Sequence, residues 1–200
     1  MIELVAMCLS YLIGSIPSGI LAGRLKGIDI RKHGSGNIGA TNVSRVLGKA
    51  PGVIVLLVDV LKGWFPVAFL APQTAQWGAA MPVDVLKIEL GVAAVAGHIW
   101  NPWFQFQGGK GVATGLGVLF ALDWRVGLIA VAVFAIVVTK SRFVSMASIC
   151  AAMVCPFALA VLRKPSLWVF GAIGISLAII WRHRPNILRL IHREEHRIGS

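Results

Sequence analysis

Residues 33–45 read HGSGNIGATNVSR, and the fold turns on what the glycines at Gly34, Gly36 and Gly39 are for. Their G-x-G-x-x-G spacing, with Asp59 about 20 residues further on, is the pattern of a dinucleotide-binding α/β unit. That unit needs a parallel strand immediately before the glycines and a βαβ crossover around them. Here an apolar run of membrane length precedes the loop, and Asp59 lies inside VIVLLVDVLKGWF, residues 53–65, where it has no route to a ribose. A nucleotide P-loop fails as well, because Ala40 and Thr41 follow Gly39 where Lys and Ser or Thr are required. What remains is the mechanism shared by both motifs. Glycines let backbone N–H groups turn toward an anion, while Ser35, Asn37, Thr41 and Asn42 offer uncharged donors and Arg45 a planar fork for phosphate oxygens.

Composition sets the surroundings of this loop. With 57% hydrophobic and 14% charged residues in 200, the chain has too little polar surface to cover a soluble core, so it reads as a polytopic membrane protein. Apolar runs between charge and turn clusters predict seven helices, at about 3–23, 52–71, 83–100, 111–122, 125–139, 143–162 and 166–182, forming one all-α membrane domain over 1–200. The first run lacks a basic leader and a small-residue cleavage site, and is read as a retained span. The fourth, GVATGLGVLFAL, is short; it is either a half helix, a re-entrant turn or a short crossing. If it crosses, 14 of the 19 Lys and Arg residues fall on one side, which the positive-inside rule makes cytoplasmic, with the N-terminus outside and the C-terminus inside. The same rule accounts for the net charge of +11 without nucleic acid.

That orientation gathers three polar stretches on the cytoplasmic face. Besides the first loop these are GGKGVATGLG at 108–117 and RHRPNILRL at 182–190. Gly108, Gly109 and Gly111 permit close backbone approach, and Lys110 places a cation beside the N-terminus of a helix. His183 and Asn186, three apart, can aim two polar heads toward the other motifs, although Pro185 bends or ends the helix there. Asp59 and Lys62 share a helix face deep in an apolar run and are expected to pair structurally. His98 reads as an interfacial belt residue, and the cysteines as small hydrophobes in helices.

Together, SGNIGATNVSR, FQGGKGVATGLG and RHRPNILRL resemble the motifs of the acyl-phosphate-dependent glycerol-3-phosphate acyltransferases of bacterial membranes, in the same order and over essentially the whole chain. The resemblance implies an enzyme of the bacterial inner membrane. It would move a fatty acyl group from acyl phosphate to the 1-hydroxyl of sn-glycerol 3-phosphate, with membrane lipid around it and neither cofactor nor metal. It nominates Ser35, Arg45, Lys110, His183 and Asn186 as catalytic. Gly36, Asn37, Gly39, Thr41, Asn42, Gly108, Gly109, Gly111 and Thr114 are nominated as phosphate-binding. One substrate phosphate and one leaving phosphate fit two cationic cradles, and the proton of the attacking hydroxyl is left to His183 or to a substrate phosphate. The competing class is a small transporter of a phosphorylated solute, which predicts polar groups at midplane and access from both faces.

Overall fold

The computed structural model describes residues 1–198, and among these the regular structure is all helical. In chain order the helices are α1 (Ile2–Gly14), α2 (Ser18–Leu25), α3 (Ala40–Leu47), α4 (Lys49–Phe65), α5 (Ala71–Gln76) and α6 (Val83–Ile99). They continue with α7 (Val112–Leu122), α8 (Trp124–Ser141), α9 (Val144–Val161), α10 (Ser166–Arg182) and α11 (Arg184–Ile191). Among the described residues, four stretches are long and apolar enough to cross a bilayer: Ile2–Leu25, Lys49–Gln76, Trp124–Ser141 and Val144–Val161. The pair α10 and α11, bent by 56°, makes a fifth if taken as one broken span. Each of the seven predicted segments has a helical counterpart, but α6 is 17 residues and α7 only 11. Large apolar side chains such as Leu61, Phe157, Phe170 and Leu177 point outward, as a lipid-facing surface requires.

Proline and glycine explain the departures from straight spans. Pro17 has no N–H to give and its ring crowds the preceding turn, so the first span breaks between α1 and α2. The carbonyls released by the break are taken up by side chains from elsewhere. Lys62 Nζ donates to the Ile16 carbonyl at 2.9 Å and Asn101 Nδ2 to that of Ser15 at 2.6 Å. Asp59, 1% exposed, accepts from Lys62 at 2.8 Å and from the Ser18 hydroxyl at 2.6 Å. The pair expected from sequence therefore forms, and it pins α4 to the broken helix. A second proline, Pro66, opens a five-residue π-helical turn, Pro66–Leu70, that joins α4 to α5.

Backbone contact between helices replaces the hydrophobic drive that lipid cannot supply. A Cβ added at Gly63 would strike the Thr114 carbonyl, and one at Gly117 would strike that of Val60, so α4 and α7 touch main chain to main chain. Gly63→Leu is accordingly expected to lower stability by about 1–3 kcal/mol through overpacking. Gly174→Ala, at a helical glycine whose Cβ would meet nothing within 4 Å, should be neutral or mildly stabilising. Thermal unfolding in detergent followed by tryptophan fluorescence separates the two; equal behaviour would refute this account of the α4–α7 seam.

Candidate functional site

The first glycine loop is built around one buried side chain. Asn42, 2% exposed, accepts the Ser35 N–H at 2.8 Å through Oδ1, and its amide donates to the carbonyls of Asn37 at 2.8 Å and His33 at 3.0 Å. Gly34, at φ 59°, passes so close that a Cβ would strike Asn42 Oδ1. Asn37 in turn accepts the Gly39 N–H at 2.8 Å, and Gly36 donates to the His33 carbonyl at 3.0 Å. The main-chain donors of Gly36 and Gly39 are thus engaged within the loop, and Asn42 ties the loop together. This corrects the expectation that all of them face an anion. Immediately after the loop the chain forms α3, a helix not among the seven predicted segments, and Thr41 and Arg45, four apart, share its outward face. Both are exposed, and among the described residues no hydrogen bond or ion pair engages the Arg45 guanidinium.

The second loop is clamped from two sides. Gly108 and Gly109 donate to the carbonyls of Ile99 and His98 at 3.0 and 3.1 Å, while Arg182 donates to the Gly109 and Gly108 carbonyls at 3.1 and 2.7 Å. Only glycine fits here, because a Cβ on either residue would strike His98. Gly111, at φ 84°, reverses the chain into α7. This geometry bears on three of the nominated residues. The Gly108 and Gly109 N–H groups are already used, and Thr114 is fully buried against Gly63, away from the cavity described below. The turn places Lys110 among the residues that line that cavity.

The third motif is the elbow between α10 and α11. His183 sits at the bend, 2% exposed, with Nδ1 at 2.8 Å from the Ile179 carbonyl. That contact assigns the proton to Nδ1 and leaves Nε2 as an acceptor. Burial, followed by the neighbouring Lys110, pushes its pKa down to about 4, so the ring is neutral at physiological pH. One turn on, Asn186 accepts from Lys110 Nζ at 2.6 Å and donates to Glu195 at 2.6 Å; Arg189 donates to the same carboxylate at 2.8 Å. Burial alone would raise the Glu195 carboxyl, but the hydrogen bonds from Asn186 and Arg189 outweigh it and hold it below its ordinary range. Lys110 is pushed down to about 8, by burial first and then by Arg189, Arg182 and Arg45, with Glu195 opposing.

These pieces meet at one cavity of about 800 Å³. Ser35, Asn37, Gly39, Thr41, Asn42, Arg45, Lys110, Gly111, His183 and Asn186 line it; Gly36, Gly108, Gly109 and Thr114 do not. The polar mouth leads into an interior walled by α7, α8, α9 and α10 that is mostly apolar. Three groups here escaped the sequence reading as site residues. Arg182 and Arg189 lie within the third polar stretch with nothing in its spelling to single them out, and Glu195 lies in no motif; only the fold brings it to Asn186.

Comparison with known proteins points the same way. A family model described as glycerol-3-phosphate acyltransferase matches residues 4–193. A protein of that name from Synechococcus sp. (strain CC9902) is 46% identical over 199 residues, covering 99% of this chain and 96% of the relative. Another, from Acaryochloris marina (strain MBIC 11017), is 43% identical over 207 residues, covering 98% and 92%. The crystal structure of PlsY (YgiH), an integral membrane glycerol 3-phosphate acyltransferase, is similar in its glycerol 3-phosphate form with a TM-score of 0.90 at 42% identity, over 98% of this chain and 96% of that one. Its lysophosphatidic acid form gives 0.88, over 98% and 95%.

Proposed function

The chain belongs to the glycerol-3-phosphate acyltransferase family, and from that membership we propose that it acylates the 1-hydroxyl of sn-glycerol 3-phosphate with acyl phosphate as donor. The products are 1-acyl-sn-glycerol 3-phosphate, a phospholipid precursor, and inorganic phosphate. The observation that carries the reading is the convergence of Arg45 and Lys110, from segments far apart in sequence, on one cavity that is polar at its mouth and apolar behind. Phosphates belong at the mouth and the acyl tail in the interior. The whole chain acts as a single domain in the bacterial inner membrane, with seven crossings that include α6 and the short α7. Its N-terminus is outside and its site on the cytoplasmic face, as the distribution of Lys and Arg supports.

Acyl phosphate is a mixed anhydride with a good leaving group, so positioning and charge stabilisation supply most of what catalysis needs. The hydroxyl oxygen attacks the carbonyl carbon, the carbonyl-to-phosphate oxygen bond breaks, and phosphate leaves. Lys110 and Arg45 stabilise the charge on the two phosphates, Ser35 and Thr41 orient them, and Asn186 holds Lys110 in place. His183 Nε2 accepts a hydrogen bond from the attacking hydroxyl and aims it. With a pKa near 4 it is a weaker base than a substrate phosphate, whose second pKa of about 6 makes the phosphate the proton acceptor.

Purified protein incubated with acyl phosphate and glycerol 3-phosphate should form lysophosphatidate with equimolar phosphate release. A transporter would instead carry a phosphorylated solute into vesicles without forming product, and that result would overturn the assignment.

A further inference from the structure

The apolar interior of the cavity has a blind end. Three helices carry lining residues inward from the mouth: α7 from Gly111 to Leu122, α9 from Ser145 to Cys155, and α10 from His183 back to Ala172. At 1.5 Å per residue all three runs stop about 15–17 Å in. Beyond that depth the large buried side chains Val126 on α8, Leu159 on α9 and Trp168 on α10 are 0%, 0% and 5% exposed and do not line the cavity. Trp168 is fixed there by an indole N–H that donates to the Asp84 carbonyl at 2.8 Å. The walls above this plug alternate larger residues such as Leu116, Leu119 and Ile175 with small ones, among them Gly115, Ala151, Ala152 and Ala172. Ser145 stands at the mouth end of its run; deeper in, the hydroxyls of Ser148 and Ser176 spend their donors on the carbonyls of Val144 and Ala152 at 2.8 and 2.7 Å, so the slot below the mouth presents an apolar bore.

We propose that this blind slot is a ruler for the acyl chain, with Cys155, Ala172 and Leu122 as its floor and Ala151 as a mark nearer the mouth. The proposal rests on the acyl-transfer reading and adds to it the substrate feature that the site selects. Carbon–carbon bonds of about 1.5 Å advance roughly 1.3 Å per carbon along an extended chain, so the slot takes on the order of a dozen carbons. The small side chains are what keep it open. Leucine at Ala172 fills the floor and leucine at Ala151 fills the bore about one helical turn higher, whereas alanine at Leu122 deepens it.

The test is a comparison of chain lengths within each variant, so that loss of folded protein cancels. Acyl phosphates of 8, 12 and 16 carbons are assayed with wild type, Ala172→Leu, Ala151→Leu and Leu122→Ala. In parallel, thermal stabilisation by the non-transferable alkyl phosphates of the same lengths is measured on each. Ala172→Leu should lower the ratio of 12-carbon to 8-carbon kcat/KM by about tenfold or more, Ala151→Leu should lower it further, and Leu122→Ala should raise the ratio of 16-carbon to 12-carbon kcat/KM. The alkyl phosphates should rank in the same order. Ratios unchanged in all variants, with stabilisation equally indifferent to chain length, would overturn the ruler. Absence of turnover with any acyl phosphate, but with length-ranked stabilisation, would refute the acyl-transfer reading and leave the slot standing.

Discussion

Lys110→Ala is expected to lower kcat/KM by about 10²–10³-fold or more, with thermal stability close to wild type. The magnitude follows from removing a fixed donor aimed at developing charge in a site sheltered from water. Stability should hold because Asn186 and Arg189 keep their bonds to Glu195 when the lysine is gone. Arg45→Ala should be comparably severe with no effect on folding, since among the described residues that guanidinium has no partner to lose. Full activity in either variant would end the two-cation cradle. Lysine also brings a pH dependence. The ammonium must be charged to hold phosphate, and burial with the nearby arginines has pushed its pKa down to about 8. Activity is therefore retained below that value and lost as pH rises through it, seen as an alkaline limb near 8 in kcat/KM, which reports the free enzyme. In Lys110→Arg, whose cation does not titrate in this range, that limb should vanish even if the wider guanidinium fits poorly and lowers the plateau.

His183→Ala is expected to cost on the order of 10²-fold in kcat, with a smaller change in KM, because it removes the acceptor that aims the attacking hydroxyl. His183→Gln, which keeps an acceptor, should recover part of the loss. The acid limb of the pH profile decides between orienter and base. A base works only when deprotonated, so activity falls as pH drops through its pKa. With phosphate as the acceptor the limb lies near 6 and persists in His183→Gln; with His183 as the base it would lie near 4 in wild type and disappear in the variant. The second pattern would reverse the roles assigned to the two groups.

How far the site could be read from the chain differs by motif. Gly108–Gly109–Lys110–Gly111 was legible as a tight turn presenting a cation, since glycines and one lysine at a helix start have few other uses. The first loop was legible only in part. Its density of Asn, Ser and Gly signals an organised turn, but nothing in the spelling says whether an amide faces a ligand or, like Asn42, its own main chain. The eight residues of α3 were lost among the polar residues of that loop, because a short amphipathic helix gives too few turns for periodicity to register. The packing of Thr114 was not legible either, because a residue in the first turn of α7 can face the cavity or the neighbouring helix, and in the structure it packs on Gly63 of α4.

The sequence alone determined the class of molecule and the approximate place of its apolar helices. Burying peptide groups in hydrocarbon is so costly that length and hydropathy dictate helices wherever the chain is apolar. It also determined which stretches are polar enough to hold a phosphate. Which of their groups remain available was decided by the tertiary structure, because amides, carbonyls and carboxylates each accept several partners and the nearest one wins. Asn42 turned inward, Arg182 clamped a loop more than 70 residues away, and Glu195 folded back onto Asn186 for that reason. No local spacing encodes those distances; the packing of α4 on α7 and of α9 on α10 sets them.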